Sequence, residues 1–364
     1  MPAEWEPHAA TWIAWPHNPN DWPGRFQLIP WVYAEIVRHL SRIEGVHILV
    51  NDAVARARAQ KVLKAASVPT NQISFHLWPT DRVWTRDSGA IFLRRERSGK
   101  KEIAATDWKF NAWAKYSDWK RDNLIAAKMA KAIGAEIFEP LAEINGKAVR
   151  VVLEGGSIDV NGQGTLLTTE ECLLSEVQQR NPGLSREGIE QVFADYLGVT
   201  KVIWLKRGIA GDDTHGHVDD IARFVAADTV VAAIEENRAD ENHLPLAENL
   251  ELLKAADDQD SRRLRVVGLP MPAPVIFKGH RLPASYANFY IANGLVLVPT
   301  FNDPNDITAL NILAGLFPSR KVVGIYCGDF IWGLGAIHCM TQQEPKVSTT
   351  KDTKERINRK GDEI

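Results

Sequence analysis

One pattern recurs along this chain and limits the folds it can adopt. A helix and a strand lead into a β-hairpin, and the unit then begins again. The segments that enter the hairpins are RDSG near residue 87, EGGS near 154, HVDD near 217 and YANF near 288, with the segment around residue 339 as the fifth. They are separated by 67, 63, 71 and 51 residues. Because self-similarity on this scale indicates a repeat architecture, we predict a closed ring of five α/β units whose entering segments meet at one axis.

Two Asn-Gly pairs give the strongest hairpin signals. The stretches GSIDVNGQGTLLTT and NFYIANGLVLVPT place Asn161-Gly162 and Asn293-Gly294 between β-rich arms. This dipeptide accepts the positive φ angles of a type I′ turn, so we predict type I′ turns at both places. Further hairpins are predicted around residues 226–228 and around Ser98-Gly99.

Helices and strands fill the intervals between these hairpins. Residues 186–198 carry apolar side chains at helical spacing and end at Gly198, a typical stop signal. Residues 123–138 and 305–317 also predict helices. The apolar runs 201–205 and 321–326 predict strands.

The connections between these elements are short, which predicts one domain over residues 1–346. Residues 347–364 are polar, rich in lysine and free of aromatic side chains, so we predict a disordered tail. A net charge of −3 with scattered basic residues argues against nucleic acid as a partner. The sequence lacks the run of about 18 apolar residues that a membrane span requires, and the N-terminus lacks the pattern of a signal peptide.

The chain has three cysteines, Cys172, Cys327 and Cys339, without a CxxC pair. This sparse, odd set fits reduced thiols and predicts a cytoplasmic protein. For Cys172 and Cys327 we expect a role in packing.

Cys339 lies in GLGAIHCMTQQ, beside His338 and behind Gly333 and Gly335. If this segment is a strand, adjacent side chains point to opposite faces, so His338 is poorly placed to activate Cys339. The two glycines allow a close backbone approach or a tight turn. A base from elsewhere in the chain is therefore expected.

The stretch GDDTHGHVDD, residues 211–220, has the highest density of polar side chains. As a strand it would place His215, His217 and Asp219 on one face, with Asp213 as a further candidate. Three interpretations stay open at this point: a metal site, a polar loop, or a general acid–base histidine beside a carboxylate that binds a cation.

Two other entering segments contribute carboxylates. RVWTRDSG places Trp84 and Asp87 close together, and EGGS places Glu154 before two glycines. Both acids could be turn residues, or they could supply a pocket with negative charge. A thiol, a histidine and several carboxylates beside an aromatic wall suit a planar guanidinium, which pairs with carboxylates through two N–H groups. Its central carbon is open to attack by a thiolate.

The motifs WTRDSG, EGGSIDVNGQGTLLTTEECLL, DDTHGHVDDIARF, NFYIANGLVLVPTFNDPND and GLGAIHCMTQQEP carry a family resemblance from the first residue to about residue 346. In order and content they resemble the agmatine deiminases, within the bacterial, Porphyromonas-type peptidyl-arginine deiminase family. The resemblance implies the five-bladed, pseudo-symmetric α/β propeller (pentein) of the guanidino-group-modifying enzymes. It also implies a homodimer and catalysis without a cofactor or metal.

The resemblance also implies residue roles. Cys339 matches the nucleophile, His217 and Asp219 match the His-x-Asp motif, and Asp87 matches the carboxylate of the Trp-x-Arg-Asp motif headed by Trp84. Glu154 matches the acid of the Glu-Gly-Gly motif near the substrate. Many agmatine deiminases have Gly-Gly-Gly-Asn-Ile-His-Cys where this chain has GLGAIHC, and Gly-Pro where it has Ser88-Gly89-Ala90, which bears on substrate choice.

The expected reaction is the hydrolysis of a small cationic guanidino substrate, agmatine, to N-carbamoylputrescine and ammonia. Asp213, Glu154 and Asp303 or Asp306 are expected to favour this dication, whereas free arginine would need a cation such as Arg86 or Arg223 for its carboxylate. The alternatives are a peptidyl-arginine deiminase, an amidinotransferase, a non-catalytic polyamine-binding protein, and a metal-dependent hydrolase built on His215, His217 and Asp219.

Overall fold

The computed structural model describes residues 1–97 and 100–347, within which it has eight α-helices and twenty β-strands. The helices are α1 (Ile29–Leu40), α2 (Ala53–Ala65), α3 (Thr85–Ser88), α4 (Ile125–Ile133), α5 (Glu170–Leu174), α6 (Arg186–Leu197), α7 (His243–Ala255) and α8 (Asn305–Leu316). The strands are β1 (His8–Ala14), β2 (Gly45–Val50), β3 (Ile73–Leu77), β4 (Ile91–Arg97), β5 (Lys100–Thr106), β6 (Glu136–Phe138), β7 (Leu141–Ile144), β8 (Lys147–Arg150), β9 (Asp159–Val160), β10 (Thr165–Thr169), β11 (Lys201–Leu205), β12 (Ala222–Ala226), β13 (Thr229–Ile234), β14 (Arg265–Pro270), β15 (Ile276–Phe277), β16 (His280–Arg281), β17 (Tyr290–Ala292), β18 (Leu295–Thr300), β19 (Lys321–Tyr326) and β20 (Gln342–Pro345).

Five of the sheets formed by these strands share one pairing pattern. An antiparallel hairpin is followed by a helix and by a strand that pairs in parallel with the second hairpin strand. The pattern holds for β4-β5-β6, β9-β10-β11, β12-β13-β14 and β17-β18-β19. In the fifth sheet β20 pairs antiparallel with β1, β1 pairs in parallel with β2, and β3 adds a fourth strand. The two ends of the described chain therefore meet in one sheet.

The hairpins and most of the helices agree with the sequence predictions, but the turn type is wrong. Of each Asn-Gly pair only the glycine has a positive φ, 73° at Gly162 and 67° at Gly294. The Asn161 side chain instead accepts backbone N–H groups from two residues further along its loop, and the Asn293 side chain pairs with the backbone of His8. These side-chain contacts replace the geometry of a two-residue type I′ turn. The turn at Ser98-Gly99 and residues 348–364 of the predicted tail lie outside the described residues.

The helix predicted over residues 123–138 is shorter than expected. Helix α4 ends at Ile133, where Gly134 adopts φ 69° and its N–H bonds to the carbonyls of Ala130 and Lys131. This left-handed cap stops the helix, and Glu136–Phe138 then form β6. By contrast, α6 and α8 lie where the periodicity predicts them.

The largest apolar cluster among the described residues packs around the segments that carry Trp84 and Cys339. It joins α1 and α2 to the sheet that contains β1 and includes the buried rings of Trp12, Trp22 and Trp84. Each large side chain buried in this way contributes about 1.5–3 kcal/mol to stability. In the part of the chain that the structure describes, no helix combines the length and apolar character needed to cross a membrane.

Candidate active site

The segments that enter the hairpins are tight turns, not strands. Asp87 lies in the one-turn helix α3, Glu154 precedes a 3₁₀ turn over Gly155–Ser157, and Asp219 lies in a 3₁₀ turn over Val218–Asp220. Cys339 also lies in a turn. The alternation of side chains assumed for His215, His217 and Asp219 and for His338 and Cys339 therefore does not apply.

Asp87 is buried and held by two donors. The Trp113 indole N–H lies 2.9 Å from Oδ2, and the Gly156 backbone N–H lies 3.1 Å from Oδ1. A Cβ on Gly156 would lie 2.6 Å from His217 Nδ1 and 2.9 Å from Asp87 Oδ1, so this position accepts only glycine. Burial raises the pKa of Asp87 while the His217 cation opposes the rise, and with Asp219 nearby the pKa is about 6.

The loop that holds Trp113 against Asp87 is strained. Ala112, Trp113 and Ala114 have φ angles of 51°, 58° and 54°. Each left-handed residue other than glycine costs about 1–2 kcal/mol. Such strain at a pocket wall is typical of functional sites, where the surrounding structure must hold one side chain in place.

His217 is fully buried between two carboxylates. Its Nδ1 lies 3.9 Å from Asp87 Oδ1 and its Nε2 lies 3.6 Å from Glu154 Oε2. Neither ring nitrogen has a hydrogen-bond partner among the described residues. Burial alone would lower the pKa of His217, but Asp87, Cys172 and Glu154 outweigh it and raise the pKa well above its usual value.

Glu154 lies behind His217 and does not line the cavity described below. Arg180 Nε lies 3.0 Å from Oε1 and 3.3 Å from Oε2, and both side chains are fully buried. Burial would raise the pKa of Glu154, but Arg180 and His217 lower it below its usual value. Glu154 therefore holds a negative charge against the histidine, and its direct contact with substrate stays a prediction.

Glu154, Cys172 and His217 also form a group that could hold a metal ion, with ligand atoms within 4.8 Å of one another. Arg180 already occupies both oxygens of the carboxylate. The metal set suggested by the sequence is a different one and is not assembled, because His215 points away to the Ser175 hydroxyl, 3.2 Å from its Nε2.

Cys339 Sγ lies 3.7 Å from Asp219 Oδ2 and 3.1 Å from the side-chain nitrogen of Asn288. Burial, followed by the charges of Asp219, Asp220 and Asp87, raises the pKa of the Cys339 thiol well above its usual value. Asp219 behaves in the opposite way: burial would raise its pKa, but the hydrogen bond from His338 lowers it. Asp219 is thus an anion that faces the sulfur.

His338 belongs to a second group of buried charges on the far side of Asp219. Its Nδ1 lies 2.7 Å from Asp219 Oδ2 and its Nε2 lies 2.8 Å from Glu4 Oε2. Two arginines also donate to Glu4, at 3.0 Å and 3.1 Å. We call this group the Glu4 cluster; it consists of Glu4, Arg86, Arg223 and His338.

A cavity of about 530 Å³ opens above Asp87 and Cys339. Trp84 and Trp113 form part of its wall. A Cβ on Gly335 would lie 2.8 Å from the Trp84 ring, so the glycine predicted to permit close approach lets the backbone pack on this ring. The charged residues that line the cavity are Asp21, Arg82, Asp87, Asp118, Asp213 and Lys278.

Asp213 also lines the cavity. Tyr116 donates its hydroxyl to Asp213 Oδ2 at 2.6 Å, and the Lys115 ammonium pairs with Oδ1. Arg82 stacks on the Tyr116 ring, 4.1 Å from its centroid. The charge of Asp213 is therefore partly neutralised by Lys115.

Other predicted ligands lie elsewhere. Asp303 and Asp306 accept backbone N–H groups of their own loop, and Asp303 also accepts that of Ala273, at distances from 2.8 Å to 3.1 Å. Neither of these two acids lines the cavity. Arg86 and Arg223 are buried in the Glu4 cluster and cannot receive a substrate carboxylate. The expected roles of these four residues are wrong because their charged groups are already bound by partners within the protein.

Sequence reasoning missed Asn288, Trp113 and Arg180. Asn288 lies in YANF, the entering segment from which no functional residue was predicted, although the repeat places it level with Asp87 and His217. The repeat therefore indicated that Asn288 could be a functional residue. Trp113 and Arg180 reach the site from connecting segments, and neither has a motif that marks it.

A family model for the Porphyromonas-type peptidyl-arginine deiminases matches residues 1–345. The chain belongs to this family. A curated relative from Selenomonas ruminantium, named as a candidate agmatine deiminase, is 38% identical over 371 residues, with 95% of this chain and 96% of that protein covered.

Solved structures of this family are also similar. An agmatine deiminase of Enterococcus faecalis matches with a TM-score of 0.85 and 33% identity over 95% of each chain. A C. jejuni agmatine deiminase variant with substrate bound matches with a TM-score of 0.82 and 29% identity over 96% of each chain. This α/β chain therefore shares the family fold over nearly its whole length.

Proposed function

We propose that this protein hydrolyses agmatine to N-carbamoylputrescine and ammonia through a covalent intermediate on Cys339. One observation carries the proposal: the Cys339 thiol and the Asp87 carboxylate line one acid-rich cavity, and the buried His217 lies directly against Asp87. The names of the similar agmatine deiminases support the substrate. These groups supply what deimination requires, namely a nucleophile, anions for a cation, and a proton donor.

In this proposal Asp87 and Asp219 bind the guanidinium. Asp219 Oδ1 is buried and has no hydrogen bond within the described residues, and each carboxylate can accept two N–H groups from a planar cation. Trp84 and Trp113 restrict the orientation of the guanidinium plane and exclude water. Fixing the reactants in this way supplies a large part of the rate acceleration.

The bound guanidinium offsets the three carboxylates that raise the pKa of Cys339, so substrate binding favours the thiolate. The thiolate attacks the guanidinium carbon and forms a carbon–sulfur bond in a tetrahedral adduct. The His217 imidazolium gives a proton to one amino group, the carbon–nitrogen bond breaks, and ammonia leaves. An S-alkylthiouronium remains on Cys339.

Neutral His217 then takes a proton from water, which attacks the same carbon. The carbon–sulfur bond breaks, the remaining hydroxyl proton of the adduct passes to the released ammonia or to solvent, the neutral ureido product leaves, and the thiolate and the imidazolium are restored. Because burial, Asp87 and Glu154 hold His217 in one orientation, the same imidazole serves as acid and then as base.

The charges around the cavity favour agmatine over free arginine. The acids that line it outnumber the cations, and Arg86 and Arg223 are buried away from it. Asp213 is the proposed partner of the distal ammonium. Peptidyl-arginine remains the alternative substrate, and it requires a mouth that admits a peptide backbone.

We also propose that the five similar sheets form the blades of a ring. Asp87, Glu154, His217, Asn288 and Cys339 each precede a hairpin of a different sheet, except that β20 completes its hairpin with β1. Their contacts with one another support a shared axis. The pairing of β20 with β1 supports closure.

The test is to incubate the purified protein, with EDTA, separately with agmatine, free arginine and an arginine-containing peptide, measuring ammonia and ureido product. Agmatine turnover alone supports the proposal, whereas peptide turnover replaces it with a peptidyl-arginine deiminase. Transfer of the amidino group to an amine without ammonia release indicates an amidinotransferase. Agmatine binding without any product indicates a binding protein.

The free thiols of Cys172, Cys327 and Cys339 support our further proposal of a cytoplasmic location. The homodimer is a proposal from the family resemblance alone, and sedimentation analysis tests it.

A further inference from the structure

The Asn288 side chain is fully buried, and each of its hydrogen-bond donors and acceptors has a partner in the protein. Its Oδ1 accepts the backbone N–H groups of His338 at 3.0 Å and Cys339 at 3.3 Å. Its Nδ2 donates to Asp220 Oδ1 at 2.9 Å and to Cys339 Sγ at 3.1 Å. A side-chain amide has two lone pairs and two hydrogens, so these four contacts use its full capacity.

This arrangement fixes which way the amide points. Reversing the amide would place its NH₂ group against two backbone donors and its oxygen against the Asp220 carboxylate. The two contacts to backbone N–H groups would then fail, because an NH₂ group cannot accept from them. The structure therefore holds an N–H donor aimed at the sulfur, independently of any substrate.

The sulfur needs such a donor because its surroundings disfavour the thiolate. Burial, Asp219, Asp220 and Asp87 all raise the pKa of Cys339, and the Ala336 backbone N–H lowers it. Asp220 accepts from the same Asn288 nitrogen that faces the sulfur. Burial and its acidic neighbours raise the pKa of Asp220 well above its usual value.

We propose that Asn288 is a catalytic residue that donates a hydrogen bond to the Cys339 thiolate and fixes the direction of its attack. The donation stabilises the thiolate when the thiol loses its proton and again when the ureido product leaves. The two contacts from Oδ1 to the chain around Cys339 keep the sulfur and its donor in register. The link to deimination rests on the proposed function, but the hydrogen bond to the thiolate does not.

The test measures how fast iodoacetamide alkylates Cys339 as a function of pH, in the wild type and in Asn288→Ala and Asn288→Asp. A Cys339→Ser sample gives the background from Cys172 and Cys327, which are fully buried. Because hydrogen bonds to charged groups are strong, both variants should raise the alkylation pKa by about one to two units. Loss of one such donor should also lower kcat/KM for agmatine about 10²-fold or more.

The matched control is Asn249→Asp, at a buried asparagine that pairs with the backbone of Lys206 and Arg207 away from the cavity. It should lower the melting temperature but leave the alkylation pKa unchanged. Asn288→Ala is decisive, because Asn288→Asp also adds a carboxylate. An unchanged alkylation pKa in Asn288→Ala overturns the proposal, even if turnover falls. A raised alkylation pKa in a protein that does not turn over agmatine keeps this proposal and removes the proposed substrate.

Discussion

Two groups of buried charge lie back to back in this protein and differ in how completely they are paired. In the Glu4 cluster, the Glu4 carboxylate accepts hydrogen bonds from two arginines, a histidine and the Ile291 backbone N–H, at distances of 2.8–3.1 Å. The pKa of Glu4 is well below its usual value because these partners outweigh the burial that would raise it. The second group, which we call the proposed catalytic cluster, consists of Asp87, His217, Asp219 and Cys339. In it both nitrogens of His217 and one oxygen of Asp219 have no hydrogen bond among the described residues.

The two clusters are built from adjacent residues. Arg86 faces Glu4 while Asp87 faces the cavity, and His338 faces Glu4 while Cys339 faces the cavity. Asp219 connects the two layers, because it contacts both His338 and Cys339. The hydrogen bonds of the Glu4 cluster are made within the protein, whereas the other group keeps unpaired polar atoms, which our proposal assigns to a cationic substrate.

The largest expected effect is on the activity of the proposed catalytic cluster. Cys339→Ser should lower agmatine turnover about 10⁴-fold or more, because a hydroxyl is a far weaker nucleophile at neutral pH. Ammonia release measures this loss. The matched control, Cys327→Ser, changes a buried thiol that does not line the cavity and should retain activity. Normal turnover by Cys339→Ser would end the proposal that Cys339 is the nucleophile.

The second prediction compares how one substitution in each cluster changes the free energy of unfolding. Glu4→Gln leaves buried arginines without their anion and should lower the free energy of unfolding by about 3–5 kcal/mol. Asp87→Asn removes a carboxylate whose pKa is raised from 3.8 to about 6, but it also leaves one of the Trp113 and Gly156 N–H donors without an acceptor. Because these two effects oppose each other, Asp87→Asn should lower the free energy of unfolding at pH 7 by much less than Glu4→Gln. Urea unfolding measures both changes.

The direction in which the stability contribution of Asp87 changes with pH follows from proton binding. Between about pH 4 and 6 folded Asp87 binds more protons than unfolded Asp87, so its contribution to stability falls as pH rises through this window. The free energy of unfolding of Asp87→Asn, relative to that of the wild type, should therefore rise from pH 4 to 6 and stay constant above. Activity of Asp87→Asn should nevertheless fall sharply. If Asp87→Asn destabilised the fold as much as Glu4→Gln, the contrast between the clusters would be wrong.

The third prediction concerns substrate binding and pH. In Cys339→Ser the affinity for agmatine should weaken up to about tenfold per pH unit as the pH falls below about 6, because Asp87 becomes neutral. Asp219, whose pKa is lowered, stays ionised in this window. Calorimetric titration from pH 5 to 8 measures the effect. Adding Asp87→Asn should flatten the curve, and an unchanged slope would assign the titration to another group.

The smallest effect is expected for Lys115, the partially exposed partner of Asp213. Lys115→Gln frees Asp213 from its partner, so the KM for agmatine should fall about two- to fivefold, within the range of exposed ion pairs. The effect should shrink at high salt. Arg121→Gln, which alters another exposed cation paired to Asp81 outside the cavity, is the control. A KM that does not respond would remove Asp213 as the partner of the distal ammonium.

Much of this arrangement could be predicted from particular residues. The repeat spacing predicts hairpins that the structure contains, and Gly198 ends α6 as predicted because its left-handed φ of 69° is favoured in glycine. The motifs also identify Cys339, His217, Asp87 and Asp219, which the structure brings together. By contrast, side-chain direction was predicted from strand alternation, and this failed because the entering segments are tight turns.

The sequence by itself determined the hairpin periodicity and the chemical types at the site, because turn propensity and functional groups are local properties of residues. Only the tertiary structure decided which of these groups are paired. Glu154 is held by Arg180 and faces His217, Arg223 pairs with Glu4 inside the Glu4 cluster, and the Asn288 amide donates to the Cys339 sulfur. Pairing depends on distances of a few ångströms between residues far apart in the chain. Local patterns do not contain those distances.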